Sequence, residues 1–255
     1  MRIWRAAVRT AVSAAIGSVP PRTLGLEHEE TAASLAVLGG VHLTNGDPAG
    51  AVTYLEQALS VRARVLGRDH LDTVVSRNNL AVALCEIDEP HRAIPLLEQV
   101  IDDAPGIFAP ESAELTSAQE RLAGLYISTG RPDRAIPLYS QLLETRIQTI
   151  GVDHPTTLAT QDMLGFAYRA TDNLSRAIVF YEKELIGRTR ILGPGHQDTF
   201  KSRNILAYAY RLSGDLARAI PLYEETLKFA VAELGHRHPA VIKMRDNIRS
   251  LRAQM

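Results

Sequence analysis

The chain has 255 residues and a formal net charge of −1 at pH 7, with 28 Lys and Arg residues against 29 Asp and Glu residues. This near balance gives no overall electrostatic reason to expect binding to nucleic acid or to an anionic membrane. The single cysteine, Cys85, excludes an internal disulfide and is typical of a reducing compartment, so we expect a cytoplasmic location.

The chain begins with a basic segment, MRIWRAAVRTAVSAAIGSVPPRT, which carries four arginines and no acidic residue. Arginine and hydroxyl residues interrupt its apolar stretch, which argues against a secretory signal peptide. No apolar run anywhere in the sequence approaches the roughly 18 residues of a membrane span. We therefore predict a short basic helix within residues 1–24 that ends before Pro20-Pro21 and caps the following domain.

From residue 25 onward the sequence repeats itself at an interval of 42 residues. The five full repeats are 25–66, 67–108, 109–150, 151–192 and 193–234, and a half repeat, 235–255, follows them. A boundary motif of one kind lies at the junctions between repeats, for example LGRDHLDT, IGVDHPTT and LGPGHQDT. A repeat of this length indicates an array of stacked supersecondary units.

Two segments of every repeat carry apolar residues at helical spacing. In the fifth repeat, Leu206 and Tyr210 lie on one face of a predicted first helix, and Ala219 and Tyr223 lie on one face of a second. Turn-forming pairs separate the two segments at one fixed place: Gly46-Asp47, Asp88-Glu89, Gly130-Arg131, Asp172-Asn173 and Gly214-Asp215. No segment alternates with a period of two residues, so we predict helix–turn–helix pairs and no β-strands.

The pattern of Leu206, Ala207, Tyr210, Ala219 and Tyr223 resembles the tetratricopeptide repeat. That family's usual unit is about 34 residues long. The longer unit here, with LG..H at its boundary and NNLA or NILA in its first helix, resembles the kinesin-light-chain type. The resemblance implies an all-α, right-handed superhelical solenoid of about five helix–turn–helix units with terminal capping helices. It also implies a non-enzymatic protein-interaction module without a cofactor.

A proline recurs inside the predicted second helix of three repeats, as Pro95, Pro137 and Pro221. If Asp215 caps the second helix of the fifth repeat, Pro221 is the sixth helical residue, and one backbone hydrogen bond is lost. If that helix starts two residues later, the proline lies in the first turn, where no amide hydrogen is needed. In both cases the proline marks an equivalent position in different repeats and gives no indication of catalytic or binding chemistry.

Histidines recur just before the predicted first helices: His28, His70, His154, His196 and His238, with Ser112 at the same place in the third repeat. A metal site would need several of them within bonds of about 2 Å to one ion. Because stacked repeats keep equivalent positions one repeat apart, these side chains cannot converge. We therefore predict that each imidazole accepts a hydrogen bond from an amide at a helix start, and that no metal is bound.

The sequence contains no glycine-rich phosphate loop, nucleophile elbow or paired-cysteine metal motif. Cys85 is the one conspicuous nucleophile, and His91 lies past the turn in the second helix of the same repeat. An enzyme that uses Cys85 remains a formal alternative, but a half-buried thiol is the ordinary role of such a residue. We predict a protein without catalytic activity.

One position of the first helices is mostly polar across the repeats: Ala36, Asn78, Glu120, Asp162, Asn204 and Asp246. The resemblance implies that Asn78 and Asn204 belong to the asparagine ladder in the groove of kinesin-light-chain repeats. It also places Asn79 where shorter tetratricopeptide repeats contact peptides. Glu120 and Asp162 depart from the asparagine pattern, which would alter the choice of partner.

Side chains on either side of this column become cationic and aromatic after about residue 160. The predicted peptide-binding groove therefore consists of Asn78, Asn79, Glu120, Asp162, Phe166, Arg169, Lys201, Asn204, Tyr208 and Arg211. Its amides would bond a peptide backbone, and its cations would select acidic side chains or a terminal carboxylate. Two alternatives stay open: a merely solvated polar face, and RNA binding, which the acids among the cations disfavour.

Two segments depart from the regular pattern. In 101–112, IDDAPGIFAPES, prolines and a glycine break the usual helix ending, so we predict that the second helix of this repeat stops near Asp103 and that a hinge or a change of pitch follows. In the final half repeat, Val241, Met244, Ile248 and Leu251 form an apolar face, which predicts an end cap over the last full repeat.

These features together predict a scaffold that binds a protein or peptide ligand, with no nucleic acid and no membrane among its partners. A regulatory or sensor module that responds to a peptide, or that works with a separate signalling ATPase or transcription regulator, is the alternative. The pattern carries no indication of the oligomeric state.

Overall fold

The computed structural model describes residues 28–255, and this part of the chain is helical throughout, without a β-strand. Its eleven helices are α1 (Glu29–Thr44), α2 (Pro48–Val65), α3 (Leu71–Glu86), α4 (Pro90–Asp103), α5 (Ala113–Ser128), α6 (Pro132–Ile150), α7 (Pro155–Ala170), α8 (Leu174–Leu192), α9 (Gln197–Leu212), α10 (Leu216–Leu234) and α11 (Pro239–Arg252). Each predicted repeat therefore contains two helices, which confirms the all-α fold. The helix predicted within 1–24 lies outside the described residues.

The chain divides into two compact modules. The N-terminal module extends to Leu125, and the C-terminal module runs from Tyr126 to Met255, so that the division falls within α5. In the N-terminal module α1 packs on α2, α2 on α3 and α3 on α4, and in the C-terminal module every helix from α6 to α11 packs on the next. This sequential packing of neighbouring helices is typical of a tetratricopeptide solenoid.

The cores of the two modules combine small residues at helix crossings with larger apolar side chains. One cluster in the N-terminal module includes Ala51, Leu55 and Leu84, all 1% exposed or less. In the C-terminal module, Tyr181 is 1% exposed, and a Cβ atom added to Gly165 of α7 would lie only 2.7 Å from its Cε1 atom. The close approach of α7 and α8 therefore depends on a glycine at this position.

The turn between the two helices of each repeat requires a left-handed residue at one fixed place. Gly46, Asp88, Gly130, Asp172 and Gly214 occupy that place, with φ angles of 76°, 58°, 73°, 59° and 80°. Glycine adopts this conformation without steric cost, and aspartate tolerates it better than most residues. The alternation of Gly and Asp in the sequence thus reflects a backbone requirement, as the predicted turns imply.

The recurring histidines are helix N-caps, which confirms the structural interpretation. The Nδ1 atoms of His28, His70, His154, His196 and His238 accept hydrogen bonds from the backbone amide two residues later, over 3.1 to 3.3 Å. In the third repeat, Ser112 Oγ accepts from the amide of Leu115 at 3.3 Å. Each imidazole therefore satisfies an amide that the helix leaves without a partner.

Replacing His196 by alanine is expected to lower the free energy of unfolding by about 1 kcal/mol, because the amide of Asp198 loses its acceptor. His196→Asn should recover most of that loss, since asparagine is a strong N-cap residue. Urea denaturation followed by circular dichroism measures both variants at neutral pH. Equal stability of wild type and His196→Ala would contradict the capping role.

The recurring prolines lie within helices, not in the first turn. Asp215 caps α10 by accepting a hydrogen bond from the amide of Arg218 at 3.0 Å, so Pro221 is the sixth helical residue. The other possibility, a helix that starts two residues later, is therefore wrong. Pro95 and Pro137 occupy the same place in α4 and α6.

In three repeats, an arginine near the end of the second helix forms a hydrogen bond to the first helix of the following repeat. Arg62, Arg146 and Arg188 donate from one guanidinium nitrogen to the hydroxyls of Ser76, Thr160 and Ser202, over 2.8, 2.5 and 3.1 Å. The second repeat has Ala104 at the arginine position, and α4 ends at Asp103, as predicted. The hinge predicted in 101–112 stays a prediction, which faster hydrogen exchange there than at the other junctions would support.

The last helix presents the predicted apolar face to the C-terminal module. Val241 is fully buried and Ile248 is 6% exposed, whereas Met244 and Leu251 are only half-buried. The arginines of α11 are exposed. The incomplete burial of Met244 and Leu251 leaves space beside α9, and that space forms part of the surface described next.

Candidate peptide-binding surfaces

Two arginines and two aromatic rings form a continuous row on α7 and α9 of the C-terminal module. The Arg169 guanidinium carbon lies 4.8 Å from the centre of the Phe166 ring and 5.7 Å from that of Tyr208. The Arg211 guanidinium carbon lies 4.9 Å from the Tyr208 ring centre. We call these four residues the arginine–aromatic row. Contact with the rings restricts both guanidinium groups, and Arg211 remains exposed to solvent.

Neither arginine of this row forms an ion pair within the described part of the chain, unlike several other cations of the module. Arg203 pairs with Glu225 at 3.0 Å, and Lys201 pairs with Asp198 at 3.0 Å. Lys201, which the sequence places in the same groove, is therefore partly neutralised by its neighbour three residues away. Arg169 and Arg211 thus differ from Lys201 and Arg203 in forming no close ion pair, although Arg169 interacts electrostatically with Asp162.

A pocket of about 590 Å³ adjoins this row between α9, α10 and α11. It is lined by Phe200, Asn204, Tyr208, Arg211, Tyr223, Met244, Asn247, Ile248, Ser250, Leu251 and Gln254. Among these described residues, Arg211 is the only charged one. The pocket thus offers apolar and aromatic walls, several amide groups and one cation, a combination suited to an apolar group that carries or adjoins a negative charge.

Two carboxyl groups of the C-terminal module are removed from solvent, and one of them, Asp162, interacts electrostatically with Arg169 of the row. Burial raises the pKa of Asp162, and Arg188 and Arg169 oppose the rise. Burial also raises the pKa of Glu184 to about 7, against the opposing effects of Arg188 and of a hydrogen bond from Ser202. The Nε atom of Arg188 lies 2.5 Å from Glu184 Oε1, and Ser202 Oγ donates to the same oxygen at 2.9 Å. Asp162 is therefore part of a partly buried charge cluster as well as of the polar column.

The N-terminal module carries a second pocket, of about 330 Å³, between α3, α4 and the start of α5. It is lined by Val75, Asn78, Asn79, Val100, Phe108, Ala113, Glu114 and Ser117. Asn78 and Asn79, predicted from the sequence, thus lie at one cavity. The only charged residue among those that line it is Glu114.

Asn78 has an unmet hydrogen-bonding requirement at this pocket. Its Oδ1 atom is buried and has no hydrogen-bond partner among the described residues. A buried polar atom without a partner costs free energy, on the order of 1–3 kcal/mol. A ligand that donates a hydrogen bond to this oxygen would recover part of that cost.

The structure brings together only part of the predicted groove residues. Asn204, Tyr208 and Arg211 line one pocket, and Asn78 and Asn79 line the other. Glu120 is exposed and lines neither of these two pockets.

Sequence reasoning missed several of the residues that line the two pockets. Phe108 and Glu114 were missed because they follow the irregular loop after α4, and Tyr223 and Asn247 because they lie on α10 and α11. A sequence signal existed for Asn247 alone, since it occupies the same repeat position as Asn79.

Cys85 lacks the environment of a catalytic thiol. It is half-buried, and burial raises the pKa of its thiol, whereas nucleophilic cysteines need a lowered pKa. Within residues 28–255 no group of three or more His, Cys, Asp or Glu side chains is placed to hold a metal ion. In the same range no helix is both long and apolar enough to cross a membrane.

Family models for the tetratricopeptide repeat match residues 30–105, 114–185 and 199–240, which is well over half of the chain. None of the curated proteins compared with the chain matches it significantly.

Among solved structures, the chain is similar to a putative kinesin light chain with nearly identical TPR-like repeats from Podosopora anserina. The two are 26% identical with a TM-score of 0.67, over 81% of this chain and 98% of that one. BtubC (BKLC) from P. vanneervenii is 20% identical with a TM-score of 0.64, over 93% and 92% of the two chains. A MamA protein is 18% identical with a TM-score of 0.61, over 81% and 97%.

Proposed function

Since the chain belongs to the tetratricopeptide repeat family, with repeats of the kinesin-light-chain-like type, we propose that it is a non-enzymatic scaffold that binds peptide segments of partner proteins on its first helices. Protein–protein interaction is the typical role of this family. The finer part of the proposal concerns where the peptide lies and which side chains it carries.

The observation that carries this proposal is the arginine–aromatic row beside the larger pocket. Arg169 and Arg211 lie over the rings of Phe166 and Tyr208 and form no ion pair among the described residues. A ligand carboxylate can accept two parallel hydrogen bonds from a guanidinium group. The C-terminal module is therefore suited to a peptide with acidic residues next to an apolar side chain.

Amide side chains supply the sequence-independent part of the binding. Asn204 is exposed and lines the larger pocket, and Asn78 lines the smaller one. An asparagine side chain can donate to a peptide carbonyl and accept from a peptide N–H at the same time. Each module thus offers an extended backbone an amide contact, and the neighbouring residues select its side chains.

Selection from a displayed library of random dodecapeptides tests this function on the full chain. Peptides enriched on the wild-type protein are expected to bind Asn78→Ala or Asn204→Ala about fivefold to tenfold more weakly, as for the loss of one hydrogen bond of 1–1.4 kcal/mol. Each selected peptide should respond to the asparagine of the module that it binds. Dissociation constants are measured by fluorescence anisotropy with the selected peptides.

Gln148→Ala removes an exposed amide from the second helix α6 and serves as the matched control, which should leave affinity unchanged. Circular dichroism establishes that all variants remain folded. The proposal would fail if no peptide were enriched over a library passed against blank resin, or if enriched peptides bound the double asparagine variant as tightly as wild type.

A further inference from the structure

The smaller pocket differs from the larger one in the sign of its charge. Glu114 is the only charged residue that lines the pocket of the N-terminal module, whereas Arg211 is the only charged residue that lines the pocket of the C-terminal module. No described residue forms an ion pair with Glu114. The two surfaces therefore call for ligand groups of opposite charge.

We propose that the pocket of the N-terminal module is a subsite for a lysine or arginine side chain of the bound peptide. This inference rests on the proposed function, because it assumes that a peptide lies against the first helices. It adds the chemical class of the side chain that the N-terminal module selects.

The walls of the pocket fit the aliphatic stem of such a side chain. Val75 and Val100 supply branched apolar surface, and Val100 is only 1% exposed. Phe108 adds an aromatic ring, over whose face a cation is attracted. Lysine and arginine commonly bury their methylene groups against such surface while their charged end reaches a polar rim.

The polar groups of the pocket are suited to the charged end. Glu114 offers a carboxylate, Ser117 a hydroxyl, and Asn78 an amide whose buried oxygen has no partner. An ammonium or guanidinium group has only donors and can satisfy several acceptors at once. The positive end of the α5 dipole partly offsets the charge of Glu114, so a small cation without an apolar stem should not bind.

The irregular loop after α4 builds this pocket. The equivalent residues in later repeats, Ile150, Leu192 and Leu234, end second helices and are 40% to 50% exposed. In the second repeat α4 stops at Asp103, which Arg77 of α3 holds by an ion pair of 2.5 Å. The chain then turns, with the amide of Phe108 donating to Ala104 O at 2.9 Å, and Phe108 lies half-buried beside Asn78. Where the later repeats have an exposed aliphatic side chain, the second repeat thus has an aromatic ring that lines the pocket.

The test uses Nα-acetyl-lysine N-methylamide as the probe and the full chain labelled with ¹⁵N. We expect saturable chemical-shift changes at backbone amides around Asn79 and Ser117, with a dissociation constant in about the millimolar range. The norleucine analogue keeps most of the stem without the ammonium group and should bind about fivefold more weakly or worse. Glu114→Gln should weaken lysine binding by a similar factor and leave the norleucine analogue unaffected.

Glu111→Gln is the matched control, because Glu111 is an exposed acid close to Glu114 in sequence and does not line the pocket. Its effect on binding of the lysine probe should be negligible. Equal binding of the lysine and norleucine probes, absence of saturable shifts, or insensitivity to Glu114→Gln would each overturn the subsite. The peptide selection described above judges the proposed function separately, since it depends on Asn78 and Asn204 and not on Glu114.

Discussion

Replacing Arg169 and Arg211 together by glutamine is expected to weaken the binding of acidic peptides about 30-fold or more, with little change for peptides that lack acidic residues. Loss of a charged hydrogen-bond partner at an interface costs roughly 2 kcal/mol or more, which corresponds to that factor in Kd. Both guanidinium groups are held by stacking on Phe166 and Tyr208, so little further ordering is needed on binding. The salt dependence of the affinity should fall in parallel.

The measurement compares selected acidic peptides with their amide counterparts, in which Asp and Glu are replaced by Asn and Gln. Lys228→Gln combined with Arg237→Gln changes the net charge of the C-terminal module equally at exposed positions that line neither the row nor its pocket, and should alter affinity little. Thermal unfolding checks that the variant is folded, because burial raises the pKa of Asp162 and Arg169 is one of the two arginines that oppose this rise. If acidic peptides bound the Arg169/Arg211 variant as tightly as the control variant, the row would have no part in recognition.

Most of the fold could be predicted because the repeat shows every local requirement several times. A left-handed turn residue recurs as Gly46, Asp88 and Gly130, and an N-cap recurs as a histidine whose ring accepts from an amide two residues later. One such residue is weak evidence for a turn or a helix start. Five copies at the same repeat position indicate much more strongly where the helices begin and end. The register alone left two positions open for Pro221, and the structure places it at the sixth position of α10.

The candidate binding surfaces were less predictable because they depend on departures from the repeat. The smaller pocket exists because α4 ends early and the following loop places Phe108 beside Asn78, and periodicity contains no information on how an irregular loop returns. The neutralisation of Lys201 by Asp198 involves residues three apart on one helix, and this pair was available from the sequence.

The buried acid Glu184 also left a signal in the sequence. Its equivalents in the other repeats are Ala58, Val100, Leu142 and Thr226, all buried, so that a carboxylate interrupts a column of residues without charge. The ion pair with Arg188 makes this possible, because a buried charge without a partner would be strongly destabilising. A charged residue at an otherwise uncharged buried position of a repeat thus identifies a site whose ionisation is linked to folding.

Glutamine in place of Glu184 is expected to remove a decrease in stability that the wild-type protein shows as the pH rises. Burial raises the pKa of Glu184 from an ordinary 4.5 to about 7 in the folded protein. Arg188 opposes this rise, and the negative charges of Asp162 and Asp198 add to it. Between these values the folded state holds a proton that the unfolded state has lost, so the stability is greatest below the lower value and falls until the pH passes the upper one. The difference between pH 5 and pH 8 is on the order of 3 kcal/mol.

Urea denaturation of wild type, Glu184→Gln and the exposed-site control Glu144→Gln at these two pH values measures this linkage. The wild-type and control curves should both lose stability at pH 8, whereas the Glu184→Gln curve should be flatter, since glutamine still accepts from Arg188 and Ser202 without a change of charge. Parallel pH dependence in all three proteins would show that Glu184 ionises normally. Asp162 lies in the polar column of α7 and interacts electrostatically with Glu184. A confirmed linkage would therefore also predict that acidic peptides bind the C-terminal module more tightly when Glu184 is protonated.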